Sequence, residues 1–289
     1  MRRILACVGS GAAAALVAAV ANRKATQAFP DNASHWVRVN YSGNRVTLSE
    51  GPIAVVALLA GGIVAGLLDR YGRRSLPIMV AGVGSGLVGA YDDLYGSTHA
   101  RGFRGHLRAL RSGELTSGMI KIIGVGASSA AAATLLRRYR SDGPQPAHHV
   151  FTGLLDTALI AATANLTNLL DLRPGRAAKA VILLGSGLFG FGAAPAVGAA
   201  VGSLPTDLAG RSMLGDCGAN ALGAAVATAA AGALPWQFRL LAFGAAAGLN
   251  LASERVSFTA VIERTPLLRR LDQLGRPDPV RSMSTDDRT

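Results

Sequence analysis

Charge is scarce in this sequence. Asp, Glu, Lys and Arg make up 16% of its 289 residues, against ~25% in an average soluble domain. A water-soluble surface over the whole chain is thereby excluded. Aromatic residues are rarer still, at 5%. The formal charge is nevertheless +12, with a pI near 10.9. On a soluble chain that charge would point to nucleic acid. Here the cations stand between apolar segments, so loops facing anionic lipid account for them better, and no nucleic-acid partner is expected. There are only two cysteines, Cys7 and Cys217, which make neither a disulfide framework nor a metal-ligand spacing. No internal repeat is clear enough to use.

What the chain has instead is apolar runs. Half of its residues are hydrophobic and the mean hydropathy is +0.33. Runs cover residues 4–21, 53–68, 76–91, 118–136, 150–167, 178–204, 223–234 and 240–252. The run at 178–204 is long for one membrane crossing and short for two. Pro195 and its surrounding glycines predict a break there, with a tight hairpin of two short helices. The expected fold is therefore all-α: a polytopic transmembrane bundle of about nine to ten spans over residues 1–252. A basic cytoplasmic segment, 253–289, follows. The first run is read as a retained helix, not a cleaved signal. The segment around Arg38 and Arg45 reads as extended or turn-rich, ending at Pro52. Phe103, Leu107 and Leu110 alternate with Arg104, Arg108 and Arg111 at helical spacing, the pattern of a basic helix lying in the interface plane.

Three polar clusters interrupt this apolar chain, each at a run's border. GAYDDLYG places Asp92 and Asp93 after the third run. NLTNLLDLRPGR places Asn165, Asn168 and Asp171 at the end of the fifth. MLGDCGANALG sets Asp216 before the run at 223–234. Carboxylates at membrane borders are expected only where they are paired, hydrated or used. If the hairpin at 178–204 crosses twice, all three clusters share one face. Most of the 29 Lys and Arg fall on that face, which makes it cytoplasmic by the positive-inside rule.

Asn165, Asn168 and Asp171 recur at i, i+3 and i+6, along one side of a helix end. Amides there can read the edge of a base or a sugar, and carboxylates can hold a hydroxyl or a divalent ion. Asp92 and Asp93 point about 100° apart on a helix, so they can serve different ends. Scattered carboxylates with no Cys/His set favour a hard cation such as Mg²⁺. Lys121, about one turn inside the fourth run, and the loop arginines can neutralise phosphate charge. Taken singly, each Asp could equally cap a helix or pair with an arginine. Together they suit phosphoryl transfer from a soluble nucleotide to a membrane lipid.

At these residues the chain resembles the polyprenyl-phosphate N-acetylhexosamine-1-phosphate transferases, the superfamily of phospho-N-acetylmuramoyl-pentapeptide transferase. The resemblance runs through the Asp-Asp motif of AYDDLYG, the Asn-x-x-Asn-x-x-Asp motif of NLTNLLD and the Gly-Asp-x-Gly motif of MLGDCGANALG. It covers roughly residues 51–223. It implies an enzyme of the bacterial inner membrane that moves a sugar-1-phosphate from a UDP-amino sugar to undecaprenyl phosphate, releasing UMP, with Mg²⁺. It further implies that Asp92, Asp93 and Asp216 are catalytic, with Asp216 and Asp93 at the metal. Asn165, Asn168 and Asp171 would lie at the nucleoside-diphosphate site, with Lys121 also binding substrate. A homodimer is compatible with it. Gly96 stands where the family often has Lys, and Pro174 where a second Asp is common. VIERTPLLRRLDQLGR replaces a His-rich loop, so Arg264 or Arg269 is the expected phosphate contact there. The alternative is a catalytically silent relative that binds lipid or nucleotide, or scaffolds envelope assembly.

Overall fold

The computed structural model describes residues 2–28, 36–40, 43, 45–68, 75–96, 105, 108–109, 111–114, 116–139 and 146–277. The chain opens with α1 (Arg2–Ala28), followed by an antiparallel hairpin of β1 (Val37–Val39) and β2 (Arg45–Thr47). Four long helices come next: α2 (Glu50–Leu68), α3 (Ser75–Tyr95), α4 (Ser117–Arg137) and α5 (Pro146–Leu170). Then come the shorter α6 (Arg176–Ser186) and α7 (Ala194–Leu208), separated by a 3-10 turn at Phe189–Phe191. Next are α8 (Gly215–Ala233) and α9 (Trp236–Ser253). Two short tail helices, α10 (Phe258–Arg264) and α11 (Pro266–Gln273), end the described chain.

The bundle is built around α8. Its sequence is mostly Gly and Ala, and it is buried without break from Cys217 to Ala231. Small residues let neighbouring backbones close in, which is how helices pack where water supplies no drive. Helix α3 comes closest: a Cβ on Gly89 would collide with the backbone of Asp216. One core lies where α1, α2, α6 and α7 meet α8, around Leu58, Val181, Ala200 and Leu222. A second joins α3, α4 and α5 to the other side of α8, around Ala81, Ala132 and Ile160. Large apolar side chains such as Leu16, Val56, Ile63, Leu87, Leu154, Leu183 and Leu241 cover the outside. Such a coat in place of a polar surface suits lipid rather than water.

Four described helical segments are long and apolar enough to cross a membrane: Arg3–Gln27, Glu50–Leu68, Ser117–Arg137 and His149–Leu170. These suggest a membrane protein, but the expected nine to ten spans are not supported. With 11 and 15 residues, α6 and α7 extend only about 16 and 22 Å, short of a ~30 Å hydrocarbon core. Helices α3, α8 and α9 are longer but less apolar. Buried inside a sheath of other helices, α8 has no use for lipophilic side chains.

The predicted break in 178–204 is present, at residues 187–192, with Pro195 in the first turn of α7. The extended segment around Arg38 and Arg45 is the β1–β2 hairpin. Residues 4–21 lie within α1, whose Ala14 and Ala18 sit in the core. Most of the amphipathic stretch at 103–111 lies outside the described residues. Successive helices run back and forth, so the ends of α1, α3, α5 and α7 gather with the starts of α2, α4, α6 and α8. All the polar clusters are at this end.

Candidate active site

Helix α8 begins with amides that no residue of its own can satisfy. Two carboxylates from other helices take them. Gly215 has φ +61°, a left-handed value that favours glycine, and its N–H donates to Asp171 Oδ2 at 2.7 Å. The next two amides donate to Asp93: Asp216 N to Oδ1 at 3.1 Å and Cys217 N to Oδ2 at 2.9 Å. Helix N-termini favour negative charge for this reason. Asp93 thus joins the end of α3 to the start of α8. Burial first, and then the Asp216 charge, push its carboxyl up to about 7 despite the amide bonds.

One residue earlier on α3, Asp92 faces a different way. Its Oδ2 lies 2.8 Å from Lys121 Nζ, and the same ammonium donates to Asp216 Oδ2. A single cation from the first turns of α4 is therefore held between carboxylates from α3 and α8. All three side chains are about four-fifths buried.

Asp216, with Asp92 and Lys121 behind it, lines a cleft of about 610 Å³. One wall is the hairpin, whose Arg38 donates to the backbone oxygen of Asp93. Another is the end of α5 and the turn after it, with Asn168, Asp171 and Arg173. The floor carries Asp207, from the end of α7, beside Ser212. Behind Ser212 stands Glu50, wholly buried, which accepts the Ser212 hydroxyl. Burial and then the Asp207 charge raise the Asp171 carboxyl well above the usual range. Burial raises Asp207 to about 6, although the Gly175 amide, Arg276 and Lys179 pull it down.

The tail closes the site from outside. Arg176, at the start of α6, forks onto Asp272 with Nε at 2.7 Å from Oδ1 and Nη2 at 3.2 Å from Oδ2. Arg276 also binds Asp272, at 3.0 Å, and donates to the Pro174 carbonyl at 2.9 Å. Arg173 pairs with Glu263 at 2.9 Å. This strapping puts Thr259 of α10 on the cleft wall.

Of the residues singled out in the sequence, Asp92, Asp93, Asp171, Asp216 and Lys121 come together here, and Asn168 lines the cleft. Asn165 does not: it donates to Asn250 and fastens α9 to α5. Arg264 is exposed at the end of α10 and does not line the cleft. Asp93 does what any Asp at a helix border can do, capping a helix, here one far away in sequence. Glu50 and Asp207 were missed. Both are carboxylates at the border of an apolar run, so the signal that found the other three applied equally to them. Arg38 could not be found that way, because only the hairpin carries it to Asp93.

Among the described residues, no three Asp, Glu, His or Cys side chains form a ready cation cage. Mg²⁺ needs none, since it is commonly held by one or two carboxylates, waters and substrate phosphates. Asp92 and Asp216 already flank one positive charge, and they suit that role better than Asp93, whose two oxygens hold amides. No family model and no curated protein matches this chain.

Proposed function

We propose that this chain is a membrane transferase of the polyprenyl-phosphate N-acetylhexosamine-1-phosphate type. It moves a sugar-1-phosphate from a UDP-sugar to undecaprenyl or another polyprenyl phosphate, releasing UMP, in cell-envelope glycan biosynthesis. The carrying observation is the meeting of Asp92, Asp216 and Lys121 beside the cleft, from three helices far apart in sequence. Soluble nucleotide and lipid phosphate must meet where a bundle's end opens to both phases. On this reading the polar end faces the cytoplasm of a bacterial cell and the apolar coat faces the inner-membrane lipid.

In the reaction, an oxygen of the lipid phosphate bonds to the sugar-bearing phosphorus. The bond from that phosphorus to the oxygen bridging to UMP breaks. Catalysis of this kind is mostly positioning and charge neutralisation. Lys121, Arg38 and Arg173 supply fixed positive charge to the phosphates. Asp92 orients the acceptor phosphate or takes its proton. Asp93 and Asp171 hold the start of α8 so that Asp216 faces the cleft. Mg²⁺, held by Asp216 and Asp92, would offset the charge that develops on the bridging oxygen.

One observation favours a second reading, a silent relative that binds without turning over. Lys121 already pairs with both carboxylates a metal would use. UMP release separates the two readings. The purified protein in detergent, given undecaprenyl phosphate, Mg²⁺ and a panel of UDP-amino sugars, is expected to release UMP with one of them. Chelation, Asp92→Asn and Asp216→Asn should each lower the rate by a hundredfold or more, on the order of removing one electrostatic element from a transition state. No release with any sugar, alongside measurable nucleotide or lipid binding, would establish the silent relative.

A further inference from the structure

Individual carboxylate oxygens on the acidic floor of the cleft have no donor among the described residues, although Asp207 also takes the Gly175 amide. Asp207 is 1% exposed yet lines the cleft, and its Oδ2 has no hydrogen-bond partner among the described residues. Glu50, 0% exposed behind it, has Oε1 in the same condition. Buried carboxylate oxygens are seldom left so, because the lost hydration is costly. The neighbouring Asp171 spends one oxygen on the Gly215 amide. Ser212, which lines the cleft, spends its hydroxyl on Glu50.

Two kinds of occupant could relieve this floor. A divalent ion is the poorer one, since the Arg276 and Lys179 cations already lie near enough to act on the Asp207 charge. Among the described residues, the floor's unpartnered oxygens have no hydrogen-bond donor. A phosphate, which brings only acceptors, would be repelled.

We propose that Asp207 is a substrate-binding residue, and that the floor it forms with Asp171 is a subsite for a neutral hydroxyl-bearing group of the donor. This rests on the transferase reading. It gives the cleft a direction: phosphates lie toward Lys121 and Arg38, and hydroxyls point at Asp207. The hydroxyls come from the ribose or from the sugar, and both present the same chemistry.

Functional-group cycles on the full-length protein in detergent test this and separate the two sources. One arm titrates UMP with its 2′-deoxy and 3′-deoxy analogues. The other titrates N-acetylglucosamine 1-phosphate with its monodeoxy analogues. Each is measured against wild type and Asp207→Ala. A hydrogen bond to a charged acceptor makes one hydroxyl worth roughly tenfold or more in Kd. In one arm, deleting that hydroxyl should weaken wild type by this factor and the variant not at all. A merely structural role for Asp207 would weaken every ligand alike. If Asp207→Ala does not fold, the isosteric Asp207→Asn carries the same cycle, with a reduced but still hydroxyl-specific penalty. Penalties equal in wild type and variant, in both arms, would overturn the subsite and leave the transferase reading standing. Failure of folded wild type to bind either parent ligand would overturn both.

Discussion

Asp207 shows how much one buried carboxylate can change the molecule's response to pH. Its folded pKa, raised by burial to about 6, exceeds the ~3.9 of an unfolded Asp. The folded state therefore holds this proton more tightly. The stability it contributes is complete below pH ~4 and is lost as pH rises through about 6. Asp207→Asn cannot lose that proton. Above pH ~7 the variant should be the more stable protein, by on the order of 2–3 kcal/mol, and the difference should vanish toward pH ~4. Thermal denaturation of both proteins across that range checks it. A difference that does not change with pH would mean that Asp207 ionises as it would in water. Of the two other acidic residues here, Asp171 was legible in its motif, whereas Glu50 has only its place at the border of a run, and its burial at the start of α2 sets it apart.

At the scale of elements, the tail is attached by charge and hardly by packing. The short helices α10 and α11 have no fully buried residue, and Leu267, Leu271 and Leu274 are exposed. The Arg173–Glu263 pair and the Arg276 bond to the Pro174 carbonyl help to bind them. What binds them chiefly is Asp272, which receives Arg176 from the bundle and Arg276 from the tail itself. Although burial opposes it, these two guanidiniums hold the Asp272 carboxyl below the ordinary carboxylate value. Asp272→Ala would leave both arginines without that partner. The expected result is a tail cut by protease after Arg255, Arg264, Arg269 and Arg270 much faster than in wild type, with the bundle's melting temperature little changed. Equal cleavage rates would show that the tail is held by something else. The basic, leucine-rich character of this tail was evident in the sequence. Its docking was not, because Arg176 and Asp272 are far apart in the chain and neither belongs to a recurring pattern.

For the whole molecule, the alternation of helix direction makes a statement about sides. Gln237 lies at the start of α9, at the end of the bundle away from the cleft, and is exposed. Arg269 lies in the tail at the cleft end and is also exposed. With Cys7 and Cys217 replaced, Gln237→Cys on intact cells should react with a membrane-impermeant maleimide. Arg269→Cys should react only after permeabilisation. The reverse result would place the cleft outside the cell and remove the proposed access to UDP-sugar. Labelling of both from outside would mean that the intervening chain does not separate two faces.

The sequence by itself determined that this protein is helical, that its exterior is apolar and that carboxylates collect at run borders. Those properties follow from composition and local pattern, and both act within a few residues of where they are written. It could not determine the number of crossings. Helix α8 is Ala- and Gly-rich because other helices surround it, and a hydropathy reading cannot tell that reason from a membrane span. Nor could it determine which carboxylate does what. Asp92 and Asp93 are adjacent in the chain, yet one meets Lys121 and the other the amides of α8. Only tertiary structure makes that division, because the partners arrive on helices whose order in space is set by how closely glycines and alanines let them pack.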